Sequence, residues 1–480
     1  MLGFHGVKHL LIDANIEGLL HVIQGPLPSE EYESVWTRRA FRNRERNLAA
    51  MRDPGLYRQI DRYARAVRDI SRVLGKVSAQ GEIIGLADYA HHDSSPLRSS
   101  DLLAAAENPE LNPFYPYFST RLRTLFHEQG FHAAGISVNY LSQALCTFAI
   151  IGFIRREFPK LKVILGGGLV TSWMKSQLWS NPFSGLADCI VEGPGEKQLF
   201  SFLGLDVILE KTYRPDYKAF PISSYLSPCF ILPYSASSGC YWNKCAFCPE
   251  KAEDSLYLPV PTRRVIEDIR ILAQETSPGL VHLLDNAISP SLLDAISKEN
   301  LPVPWYGFAR VDSRLSSPDF CMSLKRSGCV MLKLGIESGD QGVLDRLRKG
   351  IILGDASSAL KNLTKAGIKT YVYLIFGTPE ETEESARKTL EFTVKHSGFI
   401  SFLNLAIFNM PLSGASYPGV RTKKFYDGDL SLYTDFIHPG GWNRRRVRLF
   451  LDHEFRKHPA VSAILRRNPP VFTSNHAPFF

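Results

Sequence analysis

Cysteine is scarce in this chain, with eight among 480 residues. That is too few for a disulfide scaffold and suits a reducing compartment. Long apolar runs are missing as well. The longest, Leu145 to Ile154, is about half of what a membrane-spanning helix requires. Asp13 interrupts the first apolar stretch before any signal-peptide cleavage site could follow. Both absences lead to the expectation of a cytoplasmic protein without a membrane span. No zinc finger, helix-turn-helix or useful internal repeat accompanies the arginine-rich stretches Arg38 to Arg72 and Arg444 to Arg448. They therefore read as solvated helix faces rather than nucleic-acid surfaces.

What is present is ordinary globular material. The chain is 44% hydrophobic and 22% charged, with a modest net charge of +8. Its length is enough for two large domains and a tail. Lys8 to Ala14 reads as a buried strand. The segment 29–76 reads as a helical insertion whose buried face is Leu56, Ile60, Tyr63, Val67, Ile70 and Leu74. Glu82 to Asp88 is predicted as a strand, and Ser94 to Pro116 as a long loop. From Ala133 onward strands and helices alternate: strand Ala133 to Val138, helix Ser142 to Phe158, strand Lys162 to Leu165 ending in Gly166-Gly167-Gly168, strand Asp188 to Val191, and a helix from Glu196. Such alternation predicts a doubly wound, Rossmann-like α/β domain over 1–205. Ligands of these sheets bind beyond the carboxyl ends of the strands, which places Ser137, Asn139, Gly166 to Gly168, Glu192 and Gly193 on the candidate edge.

A linker (206–227) leads into a second alternating region, 228–416. Its strands are predicted at Cys229–Ser235, Leu280–Leu284, Trp305–Val311, Met331–Ile336, Thr370–Phe376 and Ser401–Ile407. Six strand–helix units are too few for an eight-fold barrel, so an open, partial (β/α)6 barrel is expected. The remainder, 417–480, reads as a covering tail.

Three of the cysteines crowd into one loop after the first barrel strand, Ser238-Gly-Cys240-Tyr-Trp-Asn-Lys-Cys245-Ala-Phe-Cys248-Pro249. Three thiolates in one short loop can converge on a soft metal centre. Zinc would recruit a fourth Cys or His nearby, yet the next ones are His282 and Cys321. An iron–sulfur cluster with one iron free of protein ligand fits better.

This loop and the segments after it resemble radical S-adenosylmethionine (SAM) enzymes, more narrowly the class with an N-terminal cobalamin-binding domain. The resemblance implies a [4Fe-4S] cluster held by Cys240, Cys245 and Cys248, whose open iron chelates SAM and cleaves it to a 5′-deoxyadenosyl radical. It implies SAM contacts from Phe247 beside the adenine, from Asp285 and Asn286 after the second strand, and from Arg310 in YGFARVD. It adds Glu337 and Ser338 in LGIESG and Gly377 in LIFGTPEET. Four residues separate the first two cysteines, where the common spacing is three. GISVN (135–139), LGGG (165–168) and VEGPGE (191–196) resemble the cobalamin module, although Asp-x-His-x-x-Gly, which places a histidine under cobalt, is absent. Cobalt is then expected without a histidine ligand.

The activity implied is cobalamin-dependent methyl transfer to an unactivated centre, on a small-molecule or peptide substrate, with a reductant such as flavodoxin or ferredoxin. A radical cyclase or rearrangement enzyme is the alternative within the class. A non-catalytic iron–sulfur or zinc-binding sensor or electron carrier is the alternative outside it. The glycines of the first domain are also what close helix–strand packing needs, so a domain retaining only its fold stays open. Cys146, Cys189, Cys229, Cys321 and Cys329 read as core packing, and Glu380, Glu381, Glu383 and Glu384 as acidic groups complementing a helix dipole.

Overall fold

The structure is a computed structural model that describes residues 1–25, 34–78, 81–176, 179–210, 212–412, 417, 419–424, 427–471 and 476–480. Part of the expected helical insertion, 29–33, lies outside them. The chain divides into two compact units. One comprises Met1–Met51, Arg65–Leu226 and Lys424–Tyr433; the other comprises Arg52–Ala64, Ser227–Lys423 and Thr434–Phe480.

The first unit holds a short hairpin, β1 (Glu82–Ile84) with β2 (Tyr89–His91), and a parallel sheet of β3 (Ala133–Ser137), β4 (Lys162–Gly166) and β5 (Cys189–Ile190) in that order. The helix Leu141–Glu157 buries Leu145, Phe148, Ile151 and Phe153, as a crossover between parallel strands must. Two expectations are corrected here. Lys8 to Ala14 forms no strand, because the Asp13 carboxylate accepts from the Asn15 and Ile16 amides and starts a helix, Ala14–Gln24. The predicted loop at 94–116 contains the helix Ser99–Glu107. It lies so close to the helix Leu141–Glu157 that a Cβ on Gly152 would fall 1.8 Å from the Ala106 carbonyl oxygen. The stretch reads as a loop because its apolar residues are mostly alanine and leucine flanked by Pro and Asn, which masks the helical period.

The second unit is the open barrel. Its strands are β6 (Ile231–Tyr234), β9 (Leu280–Leu283), β10 (Trp305–Ala309), β11 (Cys329–Glu337), β12 (Lys369–Phe376) and β13 (Phe402–Ile407). All are parallel and each pairs with its sequence neighbour. Between β6 and β9 a small antiparallel hairpin, β7 (Ser237–Ser238) with β8 (Leu258–Pro259), closes the base of the cysteine loop. Two-residue strands are too short to leave a period-2 pattern, so the sequence does not announce them.

The segment after Tyr433 is more regular than its composition suggests. It forms helices at Arg444–Phe450 and Pro459–Leu465 joined by a π turn at Leu451–Phe455. The His476 ring packs at a tilt against Tyr371 and edge-on against Phe402, at ring distances of 4.3 and 4.5 Å. Ala477 joins Leu280, Tyr306, Met331, Tyr371 and Phe402 in one buried cluster at the amino ends of the strands. The chain terminus thereby floors the barrel, opposite the end where barrel chemistry sits.

Candidate functional site

The cysteine loop leaves β6 at the carboxyl end of the barrel. Gly239 turns it with φ +68°, at a place where a Cβ would strike the Leu256 carbonyl oxygen at 2.4 Å, so only glycine fits between the two sides of the loop. Cys245 is buried, Cys240 and Cys248 are half-buried, and no disulfide consumes any of them. The loop is tied to the segment after β11: Ala246 N donates to Leu347 O at 2.9 Å, and Trp242 Nε1 donates to Arg348 O at 3.0 Å.

Two cations face this loop. Arg310, which follows β10, is buried. Its guanidinium lies 3.9 Å from the Trp242 ring centroid and 4.0 Å from Cys245 Sγ, and it donates to the Lys349 carbonyl. Lys349 sits 5.6 Å over the Phe247 ring and pairs with Glu337 at 2.8 Å. Burial raises the Cys245 thiol, and Lys349 and Arg310 pull it back toward the thiolate. Burial raises the Cys248 thiol to about 11, against backbone donors from Lys251 and Glu250. The Arg310 guanidinium beside Cys245 favours loss of that thiol's proton when a metal centre binds.

Glu337 reaches this place by a break in its strand. β11 slips register between Gly335 and Glu337, and Glu337 takes φ +69°, a left-handed conformation costly for a side chain. The bulge turns the carboxylate toward Lys349 instead of letting it alternate outward.

The other predicted SAM contacts are distributed as follows. Asp285 is buried; it accepts from Ala236 N at 3.1 Å and from the Ser237 hydroxyl, and burial raises its carboxyl despite those donors. It lines a cavity of about 260 Å³ with Tyr257, Thr262 and Ser289. Asn286 donates to the Gly239 carbonyl at 3.2 Å and is exposed. Gly377 has φ +79°. Ser338 is fully buried with its hydroxyl on Thr389 at 3.2 Å, in the helix Glu383–Lys395. Cys245, Phe247, Arg310, Glu337 and Lys349 form one neighbourhood, with Cys240 within electrostatic reach of Cys245 and of Cys248. Lys349 and Trp242 are additions that the sequence does not flag, since neither lies in a strand-end segment.

In the first unit the predicted edge residues do gather. Asn139 Nδ2 donates to Ser137 Oγ at 3.2 Å, and Asn139 Oδ1 accepts from Gly168 N at 2.9 Å. Gly167 has φ +107° with a Cβ position 2.5 Å from the Val138 oxygen. Gly193 N donates to Thr171 Oγ1 at 3.0 Å, and a Cβ there would meet nothing. Glu192 is exposed. A missed participant is Asn15, whose Oδ1 accepts from Gln143 Nε2 at 3.2 Å while Gln143 Oε1 accepts from Asn139 N at 2.9 Å. The signal was Asp13-Ala-Asn15-Ile-Glu-Gly18, the cobalt-histidine signature with asparagine in place of histidine.

Residues 234–393 match the family model of the Radical SAM superfamily. The chain is 27% identical over 217 residues to an uncharacterised methyltransferase of Pyrococcus horikoshii, covering 43% of this chain and 44% of that one. It is 24% identical over 274 residues to the hopanoid C-3 methylase of Methylococcus capsulatus, covering 50% and 52%. It therefore spans about half the length of the curated relatives it matches. Among solved structures it resembles TsrM from Kitasatospora setae, a radical SAM methyltransferase with cobalamin and a [4Fe-4S] cluster bound. That likeness has a TM-score of 0.51 at 17% identity and covers 79% of this chain and 89% of that one. At that identity the likeness is one of fold.

Proposed function

Taking as premise the match of residues 234–393 to the Radical SAM superfamily model, we propose that this chain is a cobalamin-dependent radical SAM methyltransferase whose cluster is held by Cys240, Cys245 and Cys248. The observation that carries this reading is the trio's setting: a loop at the carboxyl end of the first barrel strand, pinned by Trp242 and faced by Arg310 and Lys349. Three thiolates carry negative charge that a half-buried loop must offset, and the Arg310 guanidinium, 4.0 Å from Cys245 Sγ, contributes to that offset.

The cluster and SAM together would supply the radical, and cobalamin would carry a methyl group that a further SAM donates; the chain's part is to hold and shield. Phe247 offers an aromatic face for the adenine. Asp285 and Asn286 offer oxygen acceptors, Glu337 and Lys349 a fixed pair of opposite charges, and Gly377 open backbone. On the first unit, Ser137, Asn139, Gly166 to Gly168, Glu192 and Gly193 would hold cobalamin. A low-potential reductant of the flavodoxin or ferredoxin kind would deliver electrons. Anaerobic reconstitution with iron and sulfide, reduction, and assay for 5′-deoxyadenosine test the reading. A reduced, iron-loaded protein that never cleaves SAM overturns it in favour of an electron carrier or sensor.

A further inference from the structure

The acidic run after the fifth barrel strand contains one residue that does not behave as a helix-dipole complement. Glu383 is half-buried and Glu384 exposed at the start of their helix, but Glu381 is 1% exposed. Its Oε2 accepts from a near donor and a remote one: Gly377 N in the preceding turn at 2.5 Å and Trp442 Nε1 in the C-terminal stretch at 2.8 Å. The same C-terminal stretch grips the turn twice more. His438 bonds the Thr378 carbonyl at 3.0 Å, and Val447 lies 3.1 Å from where a Cβ on Gly377 would stand.

This arrangement is costly to fold. Glu381 Oε1 and Thr378 Oγ1 are both buried without a hydrogen-bond partner, and burial lifts the carboxyl to about 7 against its two donors, with Asp340 adding to the rise. An apolar side chain packed against Trp442 would fill the same space without stranding a carboxyl oxygen. What only a carboxyl or amide oxygen provides here is a joint acceptor that fixes the Gly377 amide and the Trp442 indole relative to each other.

We infer that Glu381 is a positioning residue for SAM, clamping the Gly377–Thr378 turn to the Trp442 segment so that residues 438–447 form one wall of the SAM pocket. The inference rests on Gly377 being a SAM contact, as proposed above. It makes the C-terminal stretch part of the cofactor site rather than a cover.

The test uses the full chain with its cluster reconstituted. SAM affinity is measured by equilibrium dialysis, and SAM engagement by the change it makes in the EPR spectrum of the reduced cluster. Trp442→Phe removes one donor and keeps the ring; affinity should fall about fivefold, the worth of one hydrogen bond. Glu381→Ala should weaken SAM by more than about tenfold with iron content unchanged. Glu381→Gln, which keeps an oxygen for both donors, should return affinity close to wild type and restore the EPR change. Wild-type affinity in both Trp442→Phe and Glu381→Ala overturns the inference, as does a Glu381→Gln protein as weak as Glu381→Ala. A wild-type cluster whose EPR spectrum ignores SAM overturns the SAM reading itself, and the positioning role falls with it.

Discussion

Lys349 Nζ lies 2.8 Å from Glu337 Oε1, and the two side chains are only 9% and 12% exposed. The pair joins a register slip in β11 to the segment that receives Arg310 and Trp242. Removing one partner of a buried pair strands the other charge, at a cost of about 3–5 kcal/mol. Lys349→Met should therefore lower the free energy of unfolding by that order in denaturant titration. The double variant Lys349→Met/Glu337→Gln should recover part of the loss. A single variant as stable as wild type would show that the pair is screened and holds nothing in place.

Gly350 bears on the same neighbourhood. It has φ +66°, and a Cβ there would fall 2.2 Å from the Trp242 ring. Gly350→Ala imposes left-handed strain of roughly 1–2 kcal/mol and pushes the indole off the Arg310 guanidinium. Iron content after reconstitution should drop, with a changed tryptophan fluorescence maximum. Unchanged loading with a displaced indole would mean that Trp242 does not hold the cysteine loop.

Much of this was legible in the sequence, for identifiable reasons. The six barrel strands are β-branched and aromatic runs separated by helix-length segments, so each is legible to within a few residues. The cysteine spacing announces its own chemistry. Lys349 and Trp442 were not legible, because each works by reaching a residue remote in the chain, and remote pairing leaves no period. The role of Glu381 leaves no mark in the sequence, because an acidic residue near a helix start has a sufficient local explanation; only its burial sets it apart from Glu383 and Glu384. The strand expected at Lys8 to Ala14 failed because Asp13 is a helix N-cap, a signal a single residue carries and an apolar run obscures.

Lys333 is a buried lysine within the barrel. Its only hydrogen-bond partner among the described residues is His282 Nε2 at 3.0 Å, and the imidazole stacks on Tyr306. Burial lowers its pKa to about 8 from an ordinary 10.5. In the unfolded chain the amine stays protonated up to 10.5, so the folded state carries the full penalty below pH 8. It loses that penalty as pH rises from 8 to 10.5. The shift corresponds to about 3 kcal/mol, against roughly 1 kcal/mol for the hydrogen bond to His282. Lys333→Met should be more stable than wild type at pH 7, by an amount that shrinks steadily above pH 8. A constant difference across pH 7 to 10.5 would contradict the buried-amine account.

Asn15 bears on the cobalamin reading. It occupies the third position of Asp13-Ala-Asn15-Ile-Glu-Gly18, where a histidine would reach cobalt. Its amide oxygen already accepts from Gln143 Nε2 at 3.2 Å, and an amide oxygen is a poorer ligand for a transition metal than an imidazole nitrogen. Wild-type protein loaded with a Co(II) corrinoid lacking its nucleotide base should give an EPR spectrum without nitrogen splitting. Asn15→His exchanges the amide for an imidazole on the same helix N-terminus and should introduce the three-line splitting of one nitrogen ligand. Corrinoid bound equally well to both proteins, with no splitting in either, would mean that this segment does not lie beneath the metal and that the cobalamin edge must be sought from β3 to β5 alone.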